Sequence, residues 1–189
     1  MIPDPQATIQ NAFAGHRAML SGLTDLAPDL EALARRLRDC LAQGGKVVWL
    51  GNGGSAADSQ HLASELVGRF RRERSGLASL ALTTDTSILT SVGNDYGFEH
   101  IFARQVEALC APGDVLVAIS TSGNSANVVR AVESARRLGI FTVGLLGGEG
   151  GRLGSLCDAV LLVPSKETPR IQEGHILIGH ILCELIEAA

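Results

Sequence analysis

The sequence predicts an α/β fold: a doubly wound, five-stranded parallel sheet preceded by an N-terminal helical hairpin. Two observations carry the sheet. Beyond Lys46 the chain alternates short apolar runs with helical stretches, and each run is too short for a helix and rich in Val, Ile or Leu, as strands covered on both faces are. Gly-, Ser- and Asn-rich turns follow two of the runs, where such a fold carries its loops. A third observation carries the hairpin: before Lys46 the apolar residues fall at helical spacing.

In chain order, Ile9, Phe13, His16, Leu20 and Leu23 form a seam over a helix from about Pro5 to Leu23. A second seam through Leu30, Leu33, Leu37 and Cys40 stops at Gly44-Gly45. The sheet has its own crossover helices, so a partner subunit is a natural place for this hairpin to bury its stripe. The strands are predicted over Val47–Leu50, Leu77–Leu82, Val115–Ile119, Phe141–Leu146 and Ala159–Val163. With 189 residues the chain suits one domain, the hairpin over 1–44 and the core over 46–189.

Sixteen basic and twenty acidic residues, for a net charge of −4, are spread through the chain without a basic patch, which argues against nucleic acid. Cys40, Cys110, Cys157 and Cys183 are far apart, with no CxxC spacing and no secretory leader before them; they read as reduced, buried thiols of a cytoplasmic protein. No apolar run approaches the roughly 20 residues of a membrane span, so a soluble chain is expected.

Ligands in doubly wound folds gather beyond the carboxyl ends of the strands. After the first strand comes Gly51-Asn52-Gly53-Gly54-Ser55-Ala56, a loose dinucleotide-type glycine pattern. The ribose-binding acid expected about 20 residues later is replaced by the charged Arg69–Arg74 segment, and no GK[ST] follows. After the third strand, Ser120-Thr121-Ser122-Gly123-Asn124-Ser125 leads into a helix from about Ala126 to Leu138. Hydroxyls and free N–H groups at a helix N-terminus can surround a phosphate without lysine, whereas an ordinary N-cap needs only one such residue. Asn94 and Asp95, in Gly93-Asn94-Asp95-Tyr96-Gly97, are either turn formers or ligands for sugar hydroxyls.

His61 and Glu65 are four apart and share a helix face. The last helix, Ile171–Ile186, is apolar nearly all round yet carries Gln172, His175 and His180. Unpaired buried polar groups cost about 1–3 kcal/mol, so at least one of these faces a site. Two imidazoles and a carboxylate are a zinc ligand set. Gln172 and His180 stand about 12 Å apart along a straight helix, a separation that two subunits would relieve. His16 and His175 read as packed or interface histidines. A carboxylate base and a histidine near a phosphate cup suit aldose–ketose proton transfer through an enediolate.

GNGGSAADSQHLASE (51–65), SVGNDYGFEHIFARQV (91–106), STSGNSANVVRA (120–131) and RIQEGHILIGHILCELIE (170–187) closely resemble the phosphoheptose isomerase family of the flavodoxin-like sugar-isomerase (SIS) fold. The resemblance runs from about Lys46 to the C-terminus, and the hairpin also suits the family. It implies conversion of sedoheptulose 7-phosphate to D-glycero-D-manno-heptose 7-phosphate, towards surface-glycan precursors. By the same resemblance Glu65 is the base and His180 its partner, with zinc on His61, Glu65, Gln172 and His180. Phosphate would lie on Ser55, Ser120, Thr121, Ser122 and Ser125. Asn52, Gly53, Gly54, Asn94, Asp95, Glu65 and Gln172 would hold the rest of the sugar. A cytoplasmic homotetramer with sites between subunits is implied. The alternatives are a non-enzymatic SIS relative that binds a protein, which would lack the second catalytic histidine, and an isomerase or sensor of another phosphosugar.

Overall fold

A computed structural model describes residues 4–188. Helix α1 (Pro5–Leu23) is capped by the Asp4 carboxylate, which accepts from Gln6 N, and a three-residue 3-10 turn joins it to α2 (Ala27–Ala42). Five strands follow: β1 (Val47–Gly51), β2 (Ser79–Ala81), β3 (Val115–Ser120), β4 (Phe141–Gly147) and β5 (Ala159–Val163). Between and after them lie α3 (Gly54–Val67), α4 (Thr86–Tyr96), α5 (Ala103–Leu109), α6 (Ala126–Arg137), the short α7 (Leu153–Leu156) and α8 (Thr168–Glu187). All pairings are parallel, in the order β2-β1-β3-β4-β5.

Strand alternation sorts the core into two layers. Val47, Trp49, Val115, Val117 and Ile119 face the layer of α1, α2, α3 and α8, where Leu37, Leu62 and Leu182 are fully buried. Val48, Leu50, Leu116 and Ala118 face α5, α6 and α7. The hairpin therefore closes one face of the sheet beside α8, burying Leu23, Leu30, Leu33 and Leu37, but Ile9, Phe13 and Leu20 of α1 stay 56%, 62% and 41% exposed. Among the described residues nothing covers those three.

Two expectations need correcting. The second strand, expected over Leu77–Leu82, is only Ser79–Ala81; the Leu77 N–H donates to Leu66 O of α3 at 3.0 Å and not to a neighbouring strand. Residues 93–96, where Asn94 and Asp95 were read as turn formers or sugar ligands, are the last turn of α4, and the turn begins only at Gly97, whose φ of 93° ends the helix. The Asp85 carboxylate starts that helix by accepting from Ile88 N at 2.9 Å. Of the four free cysteines, Cys40 and Cys183 are buried while Cys110 and Cys157 are half-buried. Burial pushes the Cys110 thiol up to about 11 and those of Cys157 and Cys183 to about 12, so all three stay protonated and inert at neutral pH. No helix among the described residues is long and apolar enough to cross a membrane.

Candidate active site

The strand order reverses between β1 and β3, and ligands of such sheets bind in the crevice outside that switch point. The two loops singled out by sequence, Gly51–Gly54 and Ser120–Ser125, leave the sheet side by side there. A reciprocal amide pair ties them: Asn52 Nδ2 donates to Asn127 Oδ1 and Asn127 Nδ2 to Asn52 Oδ1, both at 2.8 Å. Buried Asn127, which sequence reasoning missed, also accepts from Val128 N.

Ser125 occupies the N-cap position of α6 but makes no side-chain capping bond. Its hydroxyl instead stands 3.3 Å from that of Ser120, which accepts from Gly123 N at 3.1 Å. The Ser125 hydroxyl is thus not spent on capping α6, whereas Ser120 and Ser122 accept from the loop amides Gly123 N and Asn124 N at 3.1 and 3.2 Å. Gly123 has a φ of +66°, and a Cβ there would collide with the Gly150 carbonyl, so only glycine lets this loop pack on the loop after β4. Leu153 N to Gly123 O at 3.0 Å and Arg152 N to Asn124 Oδ1 at 2.9 Å lock the two loops. Between them opens a cleft of about 400 Å³ lined by Thr121, Ser122, Asn124, Gly148, Lys166 and Thr168 among others. Ser55 is buried at the start of α3, two residues after Gly53.

Helices α3 and α8 run in the same direction away from this crevice. The Gln172 amide lies against Gly54 at the start of α3, and farther along both helices Gly179 lies against Leu62. A Cβ on either glycine would strike those side chains. Close approach at Gly179 brings the next residue, His180, to α3. There His61 Nε2 and His180 Nε2 face one another at 3.0 Å, and Glu65 Oε1 stands 3.2 Å from His61 Nε2. One ligand atom from each of His61, Glu65 and His180 lies within 4.8 Å of the others. A single proton cannot satisfy three converging acceptors at once, whereas one divalent cation can accept a lone pair from each. The donor set fits zinc.

Other expected residues stand differently. Gln172 sits at the cup end of α3, about 10 Å along the helix from His61. Asn94 and Asp95 are exposed and bond to each other, Nδ2 to Oδ1 at 2.8 Å; among the described residues no side-chain hydrogen bond joins them to the cup. His16 pairs with Glu173 of α8 at 2.7 Å, and His175 is fully buried. Asp58, which the sequence reading passed over, lies one turn before His61. Its Oδ2 is buried without a partner, and burial raises its pKa, partly offset by His61. The i, i+3, i+7 spacing of Asp58, His61 and Glu65 was the available signal.

The comparisons with known proteins agree with this geometry. Residues 13–147 match the SIS domain family. A phosphoheptose isomerase of Trichlorobacter lovleyi is 54% identical over 183 residues, covering 96% of this chain and 93% of the relative. The chain belongs to the phosphoheptose isomerase family. Solved structures of phosphoheptose isomerases from Neisseria gonorrhoeae and Francisella tularensis superpose with TM-scores of 0.93 and 0.95, at 43% and 39% identity. They cover 98% and 99% of this chain and the whole of theirs. The phosphoheptose isomerase family thus accounts for sheet, hairpin and last helix together.

Proposed function

We propose that the protein is an aldose–ketose isomerase that interconverts sedoheptulose 7-phosphate and D-glycero-D-manno-heptose 7-phosphate, supplying a precursor of nucleotide-activated heptoses. The observation that carries this reading is a carboxylate and two imidazoles converging on one point, along α3 and α8 from an anion cup. The family supports the substrate. Ser55, Ser120, Thr121, Ser122 and Ser125 hold the phosphate with hydroxyls and the free N–H groups of α6. Asn52, Gly53, Gly54, Asn94, Asp95 and Gln172 bind the remaining sugar.

Glu65 takes the proton from the carbon beside the carbonyl and returns it to its neighbour. His180 moves the proton between the two oxygens. His61, Glu65 and His180 would hold one zinc ion, with Gln172 completing the set when a second chain relieves its distance. When bound, zinc would polarise the substrate carbonyl and stabilise the enediolate charge. A cytoplasmic homotetramer, with hairpin and α/β core acting as one unit and sites between subunits, accounts for the uncovered face of α1. The groove between α1, α2 and α8, about 460 Å³ and lined by Leu20, Leu23, Leu30, Leu177 and Ile181, adds to that face.

Glu65→Gln should lower kcat on sedoheptulose 7-phosphate by about 10²–10⁴-fold and leave calorimetric binding of the phosphosugar within a few-fold. Wild-type turnover by that variant would sink the assignment. Metal analysis of the purified protein tests the zinc.

A further inference from the structure

Glu187, at the end of α8, is a charged side chain with 1% exposure. Three successive backbone amides converge on it. Phe70 N and Arg71 N donate at 2.7 Å each and Arg72 N at 3.0 Å, while Arg74 Nε donates at 3.0 Å. Burial alone would raise its pKa, but the amides and the guanidinium outweigh it and hold the carboxyl down to about 2, so the charge is present throughout the neutral range. A carboxylate gathered this way fixes the path of the loop that leaves α3.

That loop touches the candidate site at two points. The Phe70 ring stacks on the His180 imidazole, with centroids 5.4 Å apart and planes 26° apart, on a ring whose other neighbour is His61 at 5.2 Å. Arg74 turns from Glu187 to the open end of α3: Nη2 donates to Glu65 O at 2.8 Å and Nη1 to Leu66 O at 2.8 Å. It thereby satisfies carbonyls that a helix C-terminus leaves unpaired. His180 and Glu187 are seven residues apart, two turns on one face of α8. One helix therefore presents an imidazole and, two turns on, the anchor of the aromatic ring that backs it.

We infer that Glu187 is a positioning residue for isomerisation: it gathers the 70–72 loop so that Phe70 fixes the His180 ring, and through Arg74 it ties down the end of α3 that carries Glu65. The inference rests on the assignment of Glu65 and His180 as the proton-transferring pair. Glu187→Gln replaces an accepting oxygen with a donating amide and opens the clamp. Phe70→Leu keeps the clamp and removes the ring, and Phe70→Tyr restores an aromatic face. In the assembled full-length enzyme, the first two variants should lose about tenfold to a hundredfold in kcat with KM little changed. Both should shift or broaden the His180 ring signals in NMR of histidine-labelled protein, and Phe70→Tyr should recover both readouts. A folded Phe70→Leu enzyme with wild-type kcat and unmoved His180 signals would overturn the inference. Should Glu187→Gln fail to fold, the two Phe70 variants decide it. Should Glu65→Gln keep full activity, the proton-transfer assignment fails, and the ring signals still report whether the clamp orients His180.

Discussion

His175 shows how burial sets the behaviour of a single group. Its side chain is fully buried on α8, and neither ring nitrogen has a hydrogen-bond partner of good geometry. Burial pushes its pKa from 6.5 down to about 4, with the Leu146 backbone opposing. Below pH 6.5 the unfolded chain binds a proton that the folded chain refuses, so stability falls as pH drops from 6.5 to about 4, by on the order of 3 kcal/mol per chain. Glu187 works in a lower window: its depressed carboxyl contributes stability above pH 4.5 that disappears as pH falls towards 2. Between pH 6.5 and 4.5, urea midpoints of a His175→Leu variant should fall less than those of the wild type. Equal slopes would contradict this account. His175 was legible in the sequence as a packed or interface histidine, since nothing there pairs it with one of the loops.

At the scale of elements, the site depends on how closely α8 approaches α3. Leu62 is fully buried, so it cannot swing away from a Cβ added at Gly179. Gly179→Ala should cost about 1–3 kcal/mol by overpacking and lower kcat by displacing His180. Combining it with Leu62→Ala should cost less than the sum of the single changes, measurable in a denaturation double-mutant cycle. Strict additivity would show that the two helices do not meet there. Helix and strand positions were largely readable because buried periodicity repeats along each element. The exceptions are instructive. Residues 93–96 read as a turn from their Gly, Asn and Asp content, yet the Asp85 cap and the packing of Leu89 and Val92 against the core carry the helix through them.

Across the whole molecule, α1 presents the largest exposed apolar side chains of the hairpin. Ile9 and Phe13 are more than half exposed, and Leu20, farther along α1, lines the apolar groove beside α8. A charge placed there leaves the chain's own core untouched. On the proposed tetramer, Phe13→Glu should therefore leave the far-ultraviolet circular dichroism unchanged while shifting the light-scattering mass from that of the wild type towards smaller species, with loss of activity in proportion. An unchanged mass would rule out that face as the subunit contact.

The chain's own residues determined much of this protein: parallel strands from buried runs, a hydroxyl-rich loop at the start of α6 that is the proposed phosphate cup, and a His–Glu face from four-residue spacing. Each is a local regularity, written within one element or one loop. Which groups meet across elements was decided only by tertiary structure. Asn52 and Asn127 are 75 residues apart, Phe70 and Glu187 are 117, and His61 and His180 are 119. Close packing at Gly179, not any feature of His61 or His180 themselves, sets their 3.0 Å separation. Local pattern could nominate His61, Glu65 and His180, but only the mutual burial of α3 and α8 could bring them to one point.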